Sequence, residues 1–249
     1  MMLLVDVGNT RVKWATYQAG QLGAQQAAEH AAWTITDWCE RLFAATAVER
    51  VLAASVAGSE SRSNLEQAAA RRGATVQFAA TSASAGGVRN AYPDPSLLGI
   101  DRWMAVIGAY RLRRQACCVV DVGTAATVDA VTAGGSHLGG FIVPGPRLMV
   151  GSLLTGTSDL AAHAARSNPA GSTLFASNTH DAIERGCRVA LAALIDRAFQ
   201  ELAGTSPAQP ALLGTGGAIT EIAPYVLAPL EVVPDLVLHG LAALAPEGA

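Results

Sequence analysis

Apolar and polar positions divide the chain into two stretches that open alike. Leu3–Val7 is a short apolar run that closes on Asp6, Gly8, Asn9 and Thr10, and Val12–Tyr17 alternates like a second strand. A turn at Gly20 predicts a third strand. Thr34–Ala45 carries Trp38, Arg41 and Leu42 at helical spacing, with Thr34 or Thr36 placed to cap it. Strands are predicted at Val51–Ser55 and Thr75–Phe78, around an alanine-rich helix Glu60–Arg72 that stops at Gly73. A Gly-, Ser- and Pro-rich segment, Thr81–Leu98, precedes a helix over Asp101–Arg114. Loops of that length inside a compact domain are usually functional or mobile.

The pattern then restarts. Cys117–Asp121 is again an apolar run ending in aspartate, followed by Gly123-Thr124 and by strands over Thr127–Thr132 and His137–Val143. Pro144-Gly145-Pro146 breaks the chain before a helix near Leu148–Leu154. Thr155–Thr179 reads as loop, Asp181–Leu202 as the longest helix, and Ala211–Leu213 as a strand running into Gly214-Thr215-Gly216-Gly217 and another helix. A short helix near Leu236–Leu244 ends the pattern. A slide of 115 residues lays 5–20 over 120–135 with six identities in 16 positions: Val5/Val120, Asp6/Asp121, Val7/Val122, Gly8/Gly123, Ala15/Ala130 and Gly20/Gly135. The chain therefore reads as an internal duplication.

Composition narrows the classes. The 249 residues are 51% hydrophobic and carry a net charge of −3, which excludes disorder over most of the chain. A sequence pI near 5.9 argues against a charge-driven nucleic-acid surface. No apolar run reaches the roughly 18 residues of a membrane span, and the start Met1-Met2-Leu3-Leu4-Val5 is interrupted by Asp6, short of the about 7–15 apolar residues of a secretory leader. Cys39, Cys117, Cys118 and Cys187 lack CxxC spacing, and the five histidines are scattered. Buried free thiols in a reducing, cytoplasmic setting are expected, and a zinc site is not.

The chemistry lies in the repeated turn. In Asp6-Val7-Gly8-Asn9-Thr10, glycine lets a ligand approach the main chain, while Asn9, Thr10 and the turn N–H groups suit phosphate oxygens. Asp6 can orient a hydrated Mg²⁺ ion, and Lys13, the one lysine, follows closely. Alone, the segment reads equally well as an ordinary hairpin turn. The second copy, Asp121-Val122-Gly123-Thr124-Ala125-Ala126-Thr127, changes that balance, since two such turns facing a cleft can hold a polyphosphate from both sides. A P-loop is absent, and Gly214-Thr215-Gly216-Gly217-Ala218 fails the dinucleotide pattern at Ile219. That glycine run remains suited to a nucleoside or its phosphates at a helix N-terminus. On the residues alone, Asp101 reads either as a carboxylate for proton transfer or as a helix cap.

Four motifs in series, Asp6-Val7-Gly8-Asn9-Thr10, Gly99-Ile100-Asp101-Arg102, Asp121–Thr127 and Gly139-Gly140-Phe141-Ile142-Val143-Pro144-Gly145, resemble those of type III pantothenate kinases along nearly the whole chain. The resemblance implies the acetate-and-sugar-kinase, heat-shock chaperone and actin superfamily. Its fold is α/β, with two duplicated ribonuclease H-like (actin-like ATPase) domains, here 1–116 and 117–249, and an interdomain cleft. It implies phosphoryl transfer from ATP to the primary hydroxyl of pantothenate, the first step toward coenzyme A. By the family pattern Asp6, Val7, Gly8, Asn9, Thr10, Arg11, Val12 and Lys13 bind ATP with Thr124, and Mg²⁺ accompanies the nucleotide. Asp121 is implied as ligand of a monovalent cation, K⁺ or NH₄⁺. Asp101 is implied as general base, and Tyr92, Gly99, Ile100, Arg102 and Thr179 as pantothenate contacts. Asn178-Thr179 matches an element that reaches a partner subunit, so a homodimer with its substrate pocket near the interface is implied. Gly139–Gly145 is expected to shape the domain interface. Neither nucleic acid nor membrane is expected as a partner. A transcription accessory factor and an actin-like ATPase switch are the rival readings, and Asp101 with both phosphate turns favours the kinase.

Overall fold

The computed structural model describes residues 1–44, 48–156 and 174–246. It divides into two compact units, the first holding Met1–Arg114, Gly135–His137 and the segment from Asp235 onward, the second holding Gln115–Gly134 and Leu138–Pro234.

In the first unit, β1 (Met2–Val7), β2 (Arg11–Gln18), β3 (Gln21–Leu22), β5 (Arg50–Ser55) and β6 (Thr75–Phe78) form a sheet of order β3-β2-β1-β5-β6, with β4 (Gln26–Glu29) also paired to β2. Every residue of β1 is buried, because helices cover both faces of this central strand. Leu3, Val5 and Val7 pack with Trp38, Cys39 and Leu42 of α1 (Ile35–Leu42) and with Leu65, Ala68 and Ala69 of α2 (Ser59–Arg71). Thr34 and Asp37 close a capping box at the start of α1, which decides between the two threonines offered by the sequence. Residues 81–98 contain a small hairpin, β7 (Ser84–Ala85) with β8 (Val88–Arg89), and a 3₁₀ turn Pro95–Leu97.

Helix α3 (Ile100–Arg113) is buried from Arg102 through Ala109. It crosses the C-terminal helix Leu236–Leu244 closely. A Cβ on Gly108 would strike the Leu236 carbonyl, and one on Gly240 the Met104 carbonyl, so the two glycines allow backbone to lie on backbone. With this contact the C-terminal helix groups with the first unit.

The second unit repeats the arrangement. Strands β9 (Cys117–Val122), β10 (Ala125–Val131), β11 (His137–Pro144), β12 (Ala211–Thr215) and β13 (Leu230–Val232) run in the order β11-β10-β9-β12-β13. As in the first sheet, the opening hairpin is antiparallel and the next two neighbours are parallel. Helix α4 (Pro146–Gly156) follows β11, and α5 (Thr179–Thr205) lays Leu191, Ile195, Phe199 and Leu202 on Cys118, Val120, Val122, Ala126 and Val128. The buried Asp196 of α5 accepts the backbone N–H groups of Leu227 at 3.0 Å and Ala228 at 2.9 Å. The segment Thr155–Thr179 of the sequence reading lies mostly outside the described residues.

Strand register refines the repeat. Asp6 pairs with Lys13, but Asp121 pairs with Thr127, so the second turn is one residue shorter. The identities before the turn coincide in the two hairpins, whereas Ala15 matches Asp129 rather than Ala130. Gly8 N–H bonds the Arg11 carbonyl at 2.9 Å, and Gly123 N–H bonds the Ala125 carbonyl at 2.9 Å. All four cysteines are free and buried. Burial, with Asp129 adding, pushes the Cys118 thiol up to about 12, so it is inert at neutral pH.

Candidate active site

The first Asp-x-Gly turn joins β1 to β2. Cross-strand pairing sets Asp6 opposite Lys13, and Lys13 Nζ lies 3.7 Å from Asp6 Oδ2, with Asp6 7% exposed. A second acid borders the lysine. The Asp235 carboxyl is held below its ordinary value first by the His239 hydrogen bond, with Lys13 contributing. His239 Nε2 stands 3.3 Å from Asp235 Oδ1.

His30 anchors this turn, a role invisible in the sequence because nothing in its neighbours marks it. Its Nε2 lies 2.8 Å from the Gly8 carbonyl, and its backbone N–H bonds the Thr10 carbonyl at 3.4 Å. A carbonyl only accepts, so Nε2 carries the proton. The ring is buried and tilts on Trp38, at 5.6 Å between centroids. His30→Ala is expected to raise KM for ATP about tenfold, since the turn loses a partly buried hydrogen bond. Steady-state kinetics check this, and an unaltered ATP KM would reduce His30 to a core residue.

Asp101, Arg102 and Tyr92 gather at the start of α3. Gly99 is the N-cap and no side chain caps the helix, so Asp101 is not the cap. Asp101 Oδ1 accepts the Arg102 backbone N–H at 2.8 Å, which orients the carboxylate at the positive end of the helix. A Cβ on Gly99 would stand 2.7 Å from Asp101 Oδ1, so a side chain there would displace that carboxylate. Arg102 is 6% exposed, and its Nη1 donates to Tyr92 Oη at 3.2 Å. Trp103, fully buried, has an indole N–H with no hydrogen-bond partner among the described residues.

In the second unit the turn at Gly123-Thr124 is braced from two sides. Gly145 N–H bonds the Thr124 carbonyl at 2.8 Å, and a Cβ on Gly145 would overlap the Gly123 carbonyl. Gly216, at φ +95°, lies so close to Asp121 that a Cβ would meet its Oδ1 and the Val122 backbone. Ala218 N–H bonds the Val122 carbonyl at 2.9 Å. The glycine runs at 139–145 and 214–217 therefore both support the second turn. The helix after Gly217 is only Ile219–Ile222, which corrects the expectation that it offers a helix N-terminus for phosphate. Oxygen donors suit hard cations, and the Asp121 carboxylate beside the Val122 backbone is such a set. The Asp6 carboxylate at the first turn likewise fits a hydrated magnesium ion.

Thr179 stands apart from these groups in the sequence and opens α5, whose N-cap is Asn178, its Oδ1 accepting Asp181 N–H at 2.9 Å. It lines a cavity of about 890 Å³ with Met149, Ser152, Asn178, Ile183 and Cys187. Thus the structure brings Asp6–Lys13 together in one turn, Tyr92, Gly99, Asp101 and Arg102 in one cluster, and Asp121 and Thr124 in another. Among the described residues, no helix is long and apolar enough to cross a membrane.

Paired sheets that each open on an acidic hairpin define the class as the actin-like ATPase and sugar-kinase fold. Solved structures share it over nearly the whole length. One is the PilM–PilN type IV pilus biogenesis complex (TM-score 0.55, 11% identity, 98% of this chain and 99% of that one). Another is component A of (R)-2-hydroxyglutaryl-CoA dehydratase from Acidaminococcus fermentans (TM-score 0.51, 15% identity, 97% and 95%). A Campylobacter jejuni protein described as a Baf family transcriptional activator gives a TM-score of 0.51 at 20% identity over 96% and 94%. At these identities the likeness is one of fold. The family model for type III pantothenate kinase matches residues 2–201, and the chain belongs to that family. It is 39% identical to the type III pantothenate kinase of Aromatoleum aromaticum, over 100% of this chain and 99% of the relative. It is 40% identical to that of Herminiimonas arsenicoxydans over 98% and 97%. The family phosphorylates pantothenate, the first step of coenzyme A biosynthesis, in an ATP-dependent reaction.

Proposed function

We propose that Asp101 is the general base of this kinase, accepting the proton of the pantothenate primary hydroxyl as that oxygen attacks the γ-phosphorus of ATP. The new oxygen–phosphorus bond forms as the bond to the β-phosphate oxygen breaks, and ADP leaves. The carrying observation is the convergence on the first turn of α3: an oriented carboxylate, a buried guanidinium and a tyrosine whose hydroxyl meets that guanidinium. A buried guanidinium suits an anionic substrate, and Tyr92, Gly99, Ile100 and Arg102 are assigned to pantothenate. The residues Asp6, Val7, Gly8, Asn9, Thr10, Arg11, Val12 and Lys13 take triphosphate oxygens through turn N–H groups and the lysine, and Thr124 does the same in the second unit. Magnesium bound with ATP near Asp6 would neutralise phosphate charge, and a monovalent cation, K⁺ or NH₄⁺, would do so at Asp121.

Coupled measurement of ADP release with and without pantothenate tests the activity. Release only with pantothenate is expected. Hydrolysis independent of pantothenate would favour an ATPase switch, and ATP binding without turnover would favour a regulator.

We infer a homodimer, with Thr179 contacting pantothenate near the subunit interface. Leu148 and Leu153 on α4, Leu138, Phe141 and Ile142 on β11, and Phe175 before α5 are large apolar side chains left exposed, which is costly for a monomer. Sedimentation should give twice the chain mass, and a monomer at micromolar concentration would refute the inference.

A further inference from the structure

We propose that His137 is a positioning residue for the pantothenate site: its buried imidazole sets the Tyr92 segment and ring and, through the Tyr92 hydroxyl, the Arg102 guanidinium. The proposal rests on the assignment of Tyr92 and Arg102 to pantothenate.

Residues Gly135–His137 group with the first unit, where they brace the chain leading to Tyr92. Arg89 N–H bonds the Gly135 carbonyl at 2.8 Å, and Arg89 Nη2 donates to Ser136 Oγ at 2.8 Å. Ala91 N–H donates to His137 Nδ1 at 3.4 Å. Gly135 sits at φ +76°, where a Cβ would overlap the Gly87 carbonyl, so only glycine lets the two segments lie this close. The next peptide is held locally, with Tyr92 N–H bonding Asn90 Oδ1 at 2.9 Å. Each residue from Arg89 to Tyr92 thus has a bond that fixes the approach of the tyrosine, Asn90 also donating its N–H to the Ala83 carbonyl at 2.9 Å.

The imidazole then touches both halves of the cluster. It lies parallel to the Tyr92 ring, with planes within 10° and centroids 6.4 Å apart, and tilted to Trp103 at 6.5 Å. Tyr92 is the residue whose hydroxyl accepts from Arg102, and Trp103 follows Arg102 on α3. At 4% exposure a polar ring costs stability unless its nitrogens are bonded, so an aliphatic residue would fill this space more favourably if packing were the only demand. The Ala91 contact requires an unprotonated Nδ1 and leaves the ring proton on Nε2. Histidine therefore combines a flat face for Tyr92 with an acceptor for the backbone one residue before it, which phenylalanine or alanine cannot do together.

The test is the division of KM and kcat in His137→Ala, His137→Phe and His137→Asn, beside Tyr92→Ala and Arg102→Ala. His137→Ala is expected to raise the pantothenate KM about five- to twentyfold while leaving the ATP KM unchanged. Asparagine places an oxygen near the Nδ1 position and should restore most of the affinity. Phenylalanine, without an acceptor, should not. Tyr92→Ala combined with His137→Ala should lose no more than Tyr92→Ala alone, since one residue acts through the other. A wild-type pantothenate KM in His137→Ala, strict additivity of the pair, or equal loss of both KM values and kcat with the melting temperature would overturn the proposal. Should the alanine variant not fold, the contrast between asparagine and phenylalanine decides it. If Tyr92→Ala and Arg102→Ala both keep the wild-type pantothenate KM, the pantothenate assignment itself fails, and the positioning role falls with it.

Discussion

Asp101→Asn should lower turnover by about 10²–10⁴-fold with ATP binding close to wild type. Asparagine has the same shape, and its side-chain oxygen can still accept the Arg102 N–H that orients Asp101 at 2.8 Å. The helix start should survive, because Gly99 rather than Asp101 occupies the N-cap. What the variant loses is an acceptor for the hydroxyl proton. Single-turnover assays separate this from slow product release. A wild-type rate would return Asp101 to the role of an anion at a helix N-terminus, a contribution of about 0.3–1 kcal/mol to stability.

Gly216→Ala should cost at least about 2 kcal/mol of stability, since φ +95° strains any L side chain and the new methyl would enter the space of Asp121 and Val122. Its effect on activity should exceed its effect on folding. The β12 turn must withdraw from Asp121, and the response of turnover to potassium should weaken with it. Asp121→Ala should weaken that potassium response. Thermal denaturation and potassium titration of both variants check the pair, and a potassium curve like wild type in Asp121→Ala would remove that residue from the cation site.

Much of the architecture is legible in the sequence. The hairpins were readable because buried strands are short apolar runs closed by Asp-Gly turns, and the C-terminal helix was placed at Leu236–Leu244, where it lies. Register was not readable. An ungapped slide aligned Ala15 with Ala130, whereas the shorter second turn matches Ala15 to the buried Asp129, because hydrogen bonding across the hairpin counts residues in the turn and sequence identity does not. The length of the helix after Gly217 was not readable, since a glycine run beside an apolar segment looks alike before four residues or fourteen.

The amino-acid sequence by itself determined the duplication, the family, both acidic turns and the candidate base, since each is carried by consecutive residues. Tertiary structure alone decided what supports them. His30 under the Gly8 carbonyl, Gly145 and Gly216 against the second turn, and His137 beneath Tyr92 all act across 20 or more residues of chain. A single histidine or glycine carries no mark of its distant neighbour. Only folding, which brings backbone carbonyls and rings within a few ångströms, gives such residues their meaning.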